Sequence, residues 1–181
     1  RCAGHGIRIG ITGPTWVAID NVTAKLPEIG AREGWGDEVT IARLASRPPG
    51  PGGMDERLRP YLASGSSPAF LDVSDRLCHP SLMTIVGGTA DQICRLGGKG
   101  LASCFDVLLI DEASQMDVAH AIVAYTRLAD DASVVVIGDD LQMPPIHPIE
   151  APEGAAHLVG SIYDFYTRYR ETEPGATPIT P

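Results

Sequence analysis

Val107-Leu108-Leu109-Ile110-Asp111-Glu112 is a run of four apolar residues that stops at two adjacent carboxylates. A short continuous apolar run bounded by a polar cluster reads as a strand buried on both faces, and such strands belong to a parallel sheet covered by helices. Twenty-seven residues after Asp111 the pattern recurs, with residues 134–137 all apolar before Gly138-Asp139-Asp140. Upstream, residues 7–12 read as a strand with Ile7, Ile9 and Ile11 alternating, ending at Thr12-Gly13-Pro14-Thr15, and residues 82–86 read as another. Between them the pattern predicts helices over 16–26 (Ala18, Val22 and Leu26 at i+4 spacing on one face), roughly 89–96, about 115–129 and 155–170, the last weakened at Gly160. This β-α-β-α alternation predicts an α/β fold, an open, doubly wound parallel sheet with flanking helices. In such sheets a ligand lies outside the carboxyl ends of the strands. Three of the predicted strands end in polar clusters there, so one site along one sheet edge is expected.

The 181 residues suffice for one domain with a hydrophobic core, and no apolar run approaches the roughly 20 residues that cross a bilayer, so no membrane partner is expected. The chain starts at Arg1 rather than Met, which points to a natural N-terminus further upstream. Cys2, Cys78, Cys94 and Cys104 form no C-x-x-C pair. Their scatter suits buried thiols in a reducing cytoplasm better than a zinc site, and Cys78-His79 reads as a loop pair. A net charge of −9 argues against a compact basic nucleic-acid module. It is compatible with a local stripe of phosphate contacts made by hydroxyls and backbone N–H groups. Six consecutive Pro and Gly residues, from Pro48 to Gly53, predict a surface loop. The surrounding region 30–80 carries no signature and reads as an insertion or loop. Within it Arg43, Arg47, Arg57 and Arg59 are candidate phosphate contacts, with solvated surface charge the preferred reading.

Two carboxylates at a strand end suit phosphoryl chemistry. One holds Mg²⁺, which bridges the β- and γ-phosphates, and its neighbour orients and deprotonates the attacking water. The dipeptide alone fits equally a helix cap at Asp111 with Glu112 as a first-turn acid. Its context separates the two. Asp111-Glu112-Ala113-Ser114-Gln115 resembles motif II of the superfamily 1 helicases, especially their RNA-surveillance (Upf-like) branch. The segment from Gly138-Asp139-Asp140 through Leu141-Gln142-Met143-Pro144-Pro145 resembles motif III, and the segment from Thr12 to Val22 resembles motif Ia. Ile85-Val86-Gly87-Gly88-Thr89 is similar to the weaker motif Ic. The resemblance spans nearly the whole chain except about 30–80 and the last ten residues.

The resemblance implies that residues 1–181 are part of a first RecA-like P-loop NTPase motor domain, with ATP and Mg²⁺ as cofactors and single-stranded DNA or RNA as partner. Asp111 would bind Mg²⁺ with Glu112 beside it as catalytic base. Gln142 would sense the γ-phosphate and couple it to the nucleic-acid cleft, with Asp139 next to it on the nucleotide side. Pro14, Thr15 and Thr89 would face the strand backbone. These roles are chemically apt, since hydroxyls and helix N-termini bind phosphate without net charge and a Gln amide both donates and accepts.

The sequence also departs from the family. Trp16 stands where a small or polar residue is usual, and reads either as a platform for a base or, preferably, as packing against the sheet. Met143 replaces the usual Leu, and Asp140 adds a third acid without a role. No G-x-x-x-x-G-K-[ST] is present. Gly97-Gly98-Lys99-Gly100 lacks the hydroxyl and the preceding strand, and reads as a turn. The phosphate-binding strand and helix are therefore expected before Arg1, and a second motor domain with its arginine finger after Pro181. In such motors the motif III strand lies between the motif II strand and the phosphate-binding strand. Residues 133–138 should then carry an apolar edge needing a partner: the missing motor segments, another chain, or residues 146–181 folded back with Ile162, Phe165 and Tyr169. The alternative is a non-catalytic, degenerate motor domain that binds protein or nucleic acid, for which the missing loop is the only support. A Rossmann-like enzyme would need G-x-G-x-x-G after the first strand, and none occurs.

Overall fold

A computed structural model describes residues 6–36, 39–45, 59–62, 68–79, 81–96, 103–139, 141–145 and 158–172. The chain order is β1 (Arg8–Thr12), α1 (Trp16–Thr23), α2 (Leu26–Glu33), β2 (Val39–Ala45), β3 (Arg59–Leu62), α3 (Pro68–Leu77), β4 (Met83–Gly87) and α4 (Ala90–Ile93). There follow β5 (Phe105–Ile110), a 3-10 turn (Ala113–Gln115), α5 (Val118–Tyr125), β6 (Leu128–Val136) and α6 (Ile162–Thr172). The strands form one sheet in the order β3-β2-β4-β1-β5-β6, and each neighbouring pair is parallel. All carboxyl ends therefore lie on one edge, as the α/β reading requires. The strands expected at 7–12, 82–86, 107–110 and 134–137 are β1, β4, β5 and β6.

Helix boundaries differ from expectation for local reasons. The segment 16–26 is not one helix. The Thr23 hydroxyl turns back to the Ile19 carbonyl (2.8 Å), α1 ends, and Pro27 sits in the first turn of α2, where its missing N–H leaves no helix bond unmade. The helix expected at 115–129 begins only at Val118, capped by Asp117 accepting from His120 N–H at 2.8 Å, and Leu128 already belongs to β6. The last helix starts at Ile162 because Gly160 takes a φ of 137° and the Ser161 hydroxyl accepts from Asp164 N–H. The helix near 89–96 is helical only over Ala90–Ile93. Region 30–80, read as an insertion or loop, supplies β2 and β3 to the same sheet and holds α3 between β3 and β4. The Pro/Gly run 48–53, the glycine cluster at 97–100 and Asp140 lie outside the described residues, as does the side chain of Tyr169.

The sheet has a core on each face. Phe105, Leu108 and Ile110 of β5 are fully buried with Ile93, Leu96, Ala121, Ala124 and Ile162 from the helices on one side. On the other, Ile11, Ile41 and Ile85 meet Val22 and Leu26 of the α1–α2 pair. This second layer stops short of β6. Val134 and Val136 pack against the first core, but Val135 and Ile137 are 42% and 46% exposed. The run 134–137 is thus buried on one face only, because among the described residues nothing covers the other. Among those residues, too, no helix is long and apolar enough to cross a membrane.

At the opposite edge, Arg8 ties β1 to β5. Its backbone N–H (2.8 Å) and Nε (3.0 Å) both donate to Asp106 Oδ2. The guanidinium hydrogen bond holds the Asp106 carboxyl below the usual carboxylate range, and the same contact raises Arg8. A depressed carboxyl contributes stability that is fully present above its unfolded value near ~4 and is lost as pH falls through the folded value. Asp106→Asn is expected to cost about 1–2 kcal/mol at neutral pH, allowing for partial exposure. Urea midpoints of the two proteins should converge below pH ~4. A gap that persists in acid would show that the ion pair is not its source.

Candidate functional site

The site is built from loops that leave the carboxyl ends of β4, β1, β5 and β6. Between β1 and β5, Asp111 N–H donates to the Thr12 carbonyl at 2.9 Å. Gly13 follows so closely that a Cβ on it would stand 2.9 Å from the Asp111 carbonyl oxygen and 3.3 Å from Ala18 Cβ. Only glycine lets the chain turn into α1 this near to β5. Thr15 then caps α1, its Oγ1 accepting from Ala18 N–H at 3.2 Å, so that its own O–H remains a donor on an exposed residue. Thr89 opens α4, with its N–H donating to Gln92 Oε1 at 3.1 Å. Pro14 and Thr89 line one cleft of about 280 Å³ together with Gln115, Met116, Asp117 and His120.

Asp111 and Glu112 are both partly exposed at the end of β5. Among the described residues neither carboxylate is paired with a cationic side chain. Two unneutralised carboxylates fit a hard divalent cation that takes its remaining oxygens from water and phosphate, as Mg²⁺ does. They do not make a complete protein cage: the described residues include no group of three or more His, Cys, Asp or Glu placed to hold a metal. Nor does the sequence hold the phosphate-binding loop that would cradle a triphosphate.

Glu112 has φ 50° and ψ 39°, and it is the one non-glycine residue with positive φ among those described. Such a conformation costs a glutamate roughly 1–2 kcal/mol. It is enforced by the neighbours, since Ala113 N–H is held by the Ile137 carbonyl (2.8 Å) and Ile137 N–H by that of Ile110 (2.9 Å). Glu112→Gly is therefore expected to leave stability unchanged or raise it by up to about 1 kcal/mol, unlike glycine at an ordinary position. Chemical denaturation measures this. A loss larger than that would mean that the carboxylate itself stabilises the fold.

Gln142 reaches back toward β5. Gln115 Nε2 donates to its Oε1 at 2.8 Å, and Ser114 Oγ lies 3.5 Å from the same oxygen. Ser114 Oγ also accepts from Asp139 N–H (3.2 Å), while Asp139 Oδ1 closes its own turn by accepting from Leu141 N–H (2.9 Å). The loops after β5 and β6 are thus joined through Ser114 and Gln115. Both stand in the string that carries the motif II resemblance, but nothing in that string shows which partner they take.

The structure also revises the arginine readings. Arg43 is not a solvated surface charge: its Nε and Nη2 bond the Asp20 carboxylate and its guanidinium lies over the Trp16 ring at 4.6 Å. Trp16 itself meets this cation rather than the sheet interior, which on α1 is faced by Ala18, Ile19 and Thr23. Arg47, Arg57 and the side chain of Arg59 lie outside the described residues. No protein-family model matches the chain, and no curated protein matches it.

Proposed function

We propose that this chain is part of an ATP-dependent motor acting on single-stranded nucleic acid, a partial RecA-like P-loop domain of the superfamily 1 helicase type. One observation carries the reading. The loop after β5, which begins with Asp111 and Glu112, is hydrogen-bonded to Gln142 and Asp139 after β6 through Ser114 and Gln115, and the hydroxyl-bearing loops after β1 and β4 leave the same sheet edge. In this reading Asp111 holds Mg²⁺ and Glu112 takes a proton from the attacking water. Bound Mg·ATP supplies the phosphoryl group and the charge whose loss the domain detects. Gln142, held by Gln115, reports that change to the loop whose turn Asp139 closes. Thr15 and Thr89 offer hydroxyls to phosphate oxygens without adding positive charge, which suits a chain of net charge −9.

The order β1-β5-β6 also supports the reading. Among the described residues β6 pairs only with β5, leaving an outer edge beside the exposed Val135 and Ile137. Asp130 and Asp131 place charge in the first half of β6, but the run 134–137 along this edge holds neither charge nor proline, and that part of the edge calls for a partner strand. The motor reading places there the strand that brings the phosphate-binding loop, next to the residues that act on the phosphates.

The test is equilibrium binding of labelled single-stranded DNA and RNA by the whole chain at about 50 and 200 mM salt, where phosphate contacts weaken steeply with salt. Thr15→Ala and Thr89→Ala are each expected to weaken binding by about 10-fold or more, in line with one lost hydrogen bond to a charged group. Absence of strand binding at low salt would remove the reading.

A further inference from the structure

Trp16 begins α1 immediately after Thr15 and is only partly buried. One face of its indole is covered by the Arg43 guanidinium at 4.6 Å. Arg43 comes from β2 and is clamped by both carboxylate oxygens of Asp20, one helical turn after Trp16; the Nη2 bond is 2.8 Å. The arginine side chain is only 13% exposed. Its register partner on β4 is Gly87, two residues before Thr89. The stack therefore belongs to the same sheet edge as Pro14, Thr15 and Thr89. Beside it Val17 is 66% exposed.

The chemistry of this corner is specific. An arginine held along its Nε/Nη2 side by a carboxylate is matched in charge and fixed in orientation, which favours its role as a planar support over that of a mobile phosphate clamp. What remains is a rigid plate, an indole backed by a fixed planar cation. Such a plate suits a flat, neutral ring. We propose that Trp16 is the stacking platform for one base of a single-stranded nucleic acid, with Arg43 and Asp20 as the positioning residues that hold the indole in place. This rests on the motor reading of the same edge and extends it. Thr15 and Thr89 meet the backbone, while Trp16 takes the face of a base and so tolerates any sequence.

The experiment uses the whole chain and its own fluorescence. Trp16 and Trp35 are its two tryptophans, and Trp35, partly buried against Gly30 at the margin of the second core, is read alone in Trp16→Ala as the background. A homopolymer strand of about 12 nucleotides is compared with an abasic strand of equal length, near the site size of a stacking groove. The base-bearing strand is expected to quench the fluorescence and to bind roughly 10-fold tighter than the abasic one. Trp16→Ala should remove both the quench and the preference, and Trp16→Tyr should keep most of the preference. Arg43→Met should reduce the preference, and Thr15→Ala should weaken both strands alike. Equal binding of the two strands, or a preference that survives in Trp16→Ala, overturns the platform and leaves strand binding standing. Failure of both strands to bind at low salt removes the motor reading and the platform with it.

Discussion

No ATP turnover is expected from the 181-residue chain, with or without single-stranded DNA or RNA and at any Mg²⁺ concentration. Asp111 and Glu112 stand ready at the end of β5, but two carboxylates bind Mg²⁺ weakly unless phosphate oxygens complete its shell. The backbone amides and lysine that would bring a triphosphate there have no counterpart in the sequence. Joined to a strand, phosphate-binding loop and helix ahead of Arg1, the same residues are expected to hydrolyse ATP. Glu112→Gln in that longer form should lower kcat by roughly 10²–10⁴, the usual contribution of a general base. Glutamine keeps the shape of the side chain and removes only its basicity, so nucleotide binding should persist. Asp111→Asn should instead weaken Mg·ATP binding. Turnover by the chain alone that disappears in Glu112→Gln would overturn this division of labour.

How far the site could be read from sequence depended on whether its signal was local. Four apolar runs, three of them ending in polar clusters, located β1, β4, β5 and β6, because a strand end and its loop are encoded within a few residues. β2 escaped notice because Val39–Ala45 places Arg43 among its apolar residues, and that arginine is buried only through Asp20 and Trp16. β3 escaped because it is four residues long and holds Pro60, as sheet-edge strands can. The Trp16–Arg43 contact joins residues 27 apart and cannot be inferred until α1 and β2 are both in place. The left-handed backbone of Glu112 has no signature either, since glutamate, unlike glycine or asparagine, rarely occupies that region. The half-exposed face of β6 was misread for a different reason: its residues are apolar enough for two covered faces, and exposure is set by what stands beside the strand.

Phe105→Ala is expected to be among the most damaging single changes in the chain, at about 3–5 kcal/mol against a total of roughly 5–15 for a domain. The ring is fully buried at the start of β5. It fills space that β1 leaves open: a Cβ on Gly10 would stand 3.2 Å from Phe105 Cγ and 2.9 Å from Leu108 Cδ1. Gly10→Ala should therefore overpack the same spot and cost about 1–3 kcal/mol. The two positions compete for one volume, so their effects should not add. Gly10→Ala combined with Phe105→Leu should be more stable than the sum of the single losses predicts, by on the order of 1 kcal/mol. Denaturant midpoints of the four proteins measure this, and strict additivity would mean that the β1–β5 approach is not set by this contact. Thr15 lies in the turn after β1, and Asp111 and Glu112 follow β5 directly, so these packing variants should lose strand binding only as they unfold. Thr15→Ala removes the N-cap of α1 and should cost about 0.5–2 kcal/mol, yet it should weaken strand binding under conditions where the domain is still folded, which separates a residue that touches the ligand from one that only holds the site in place.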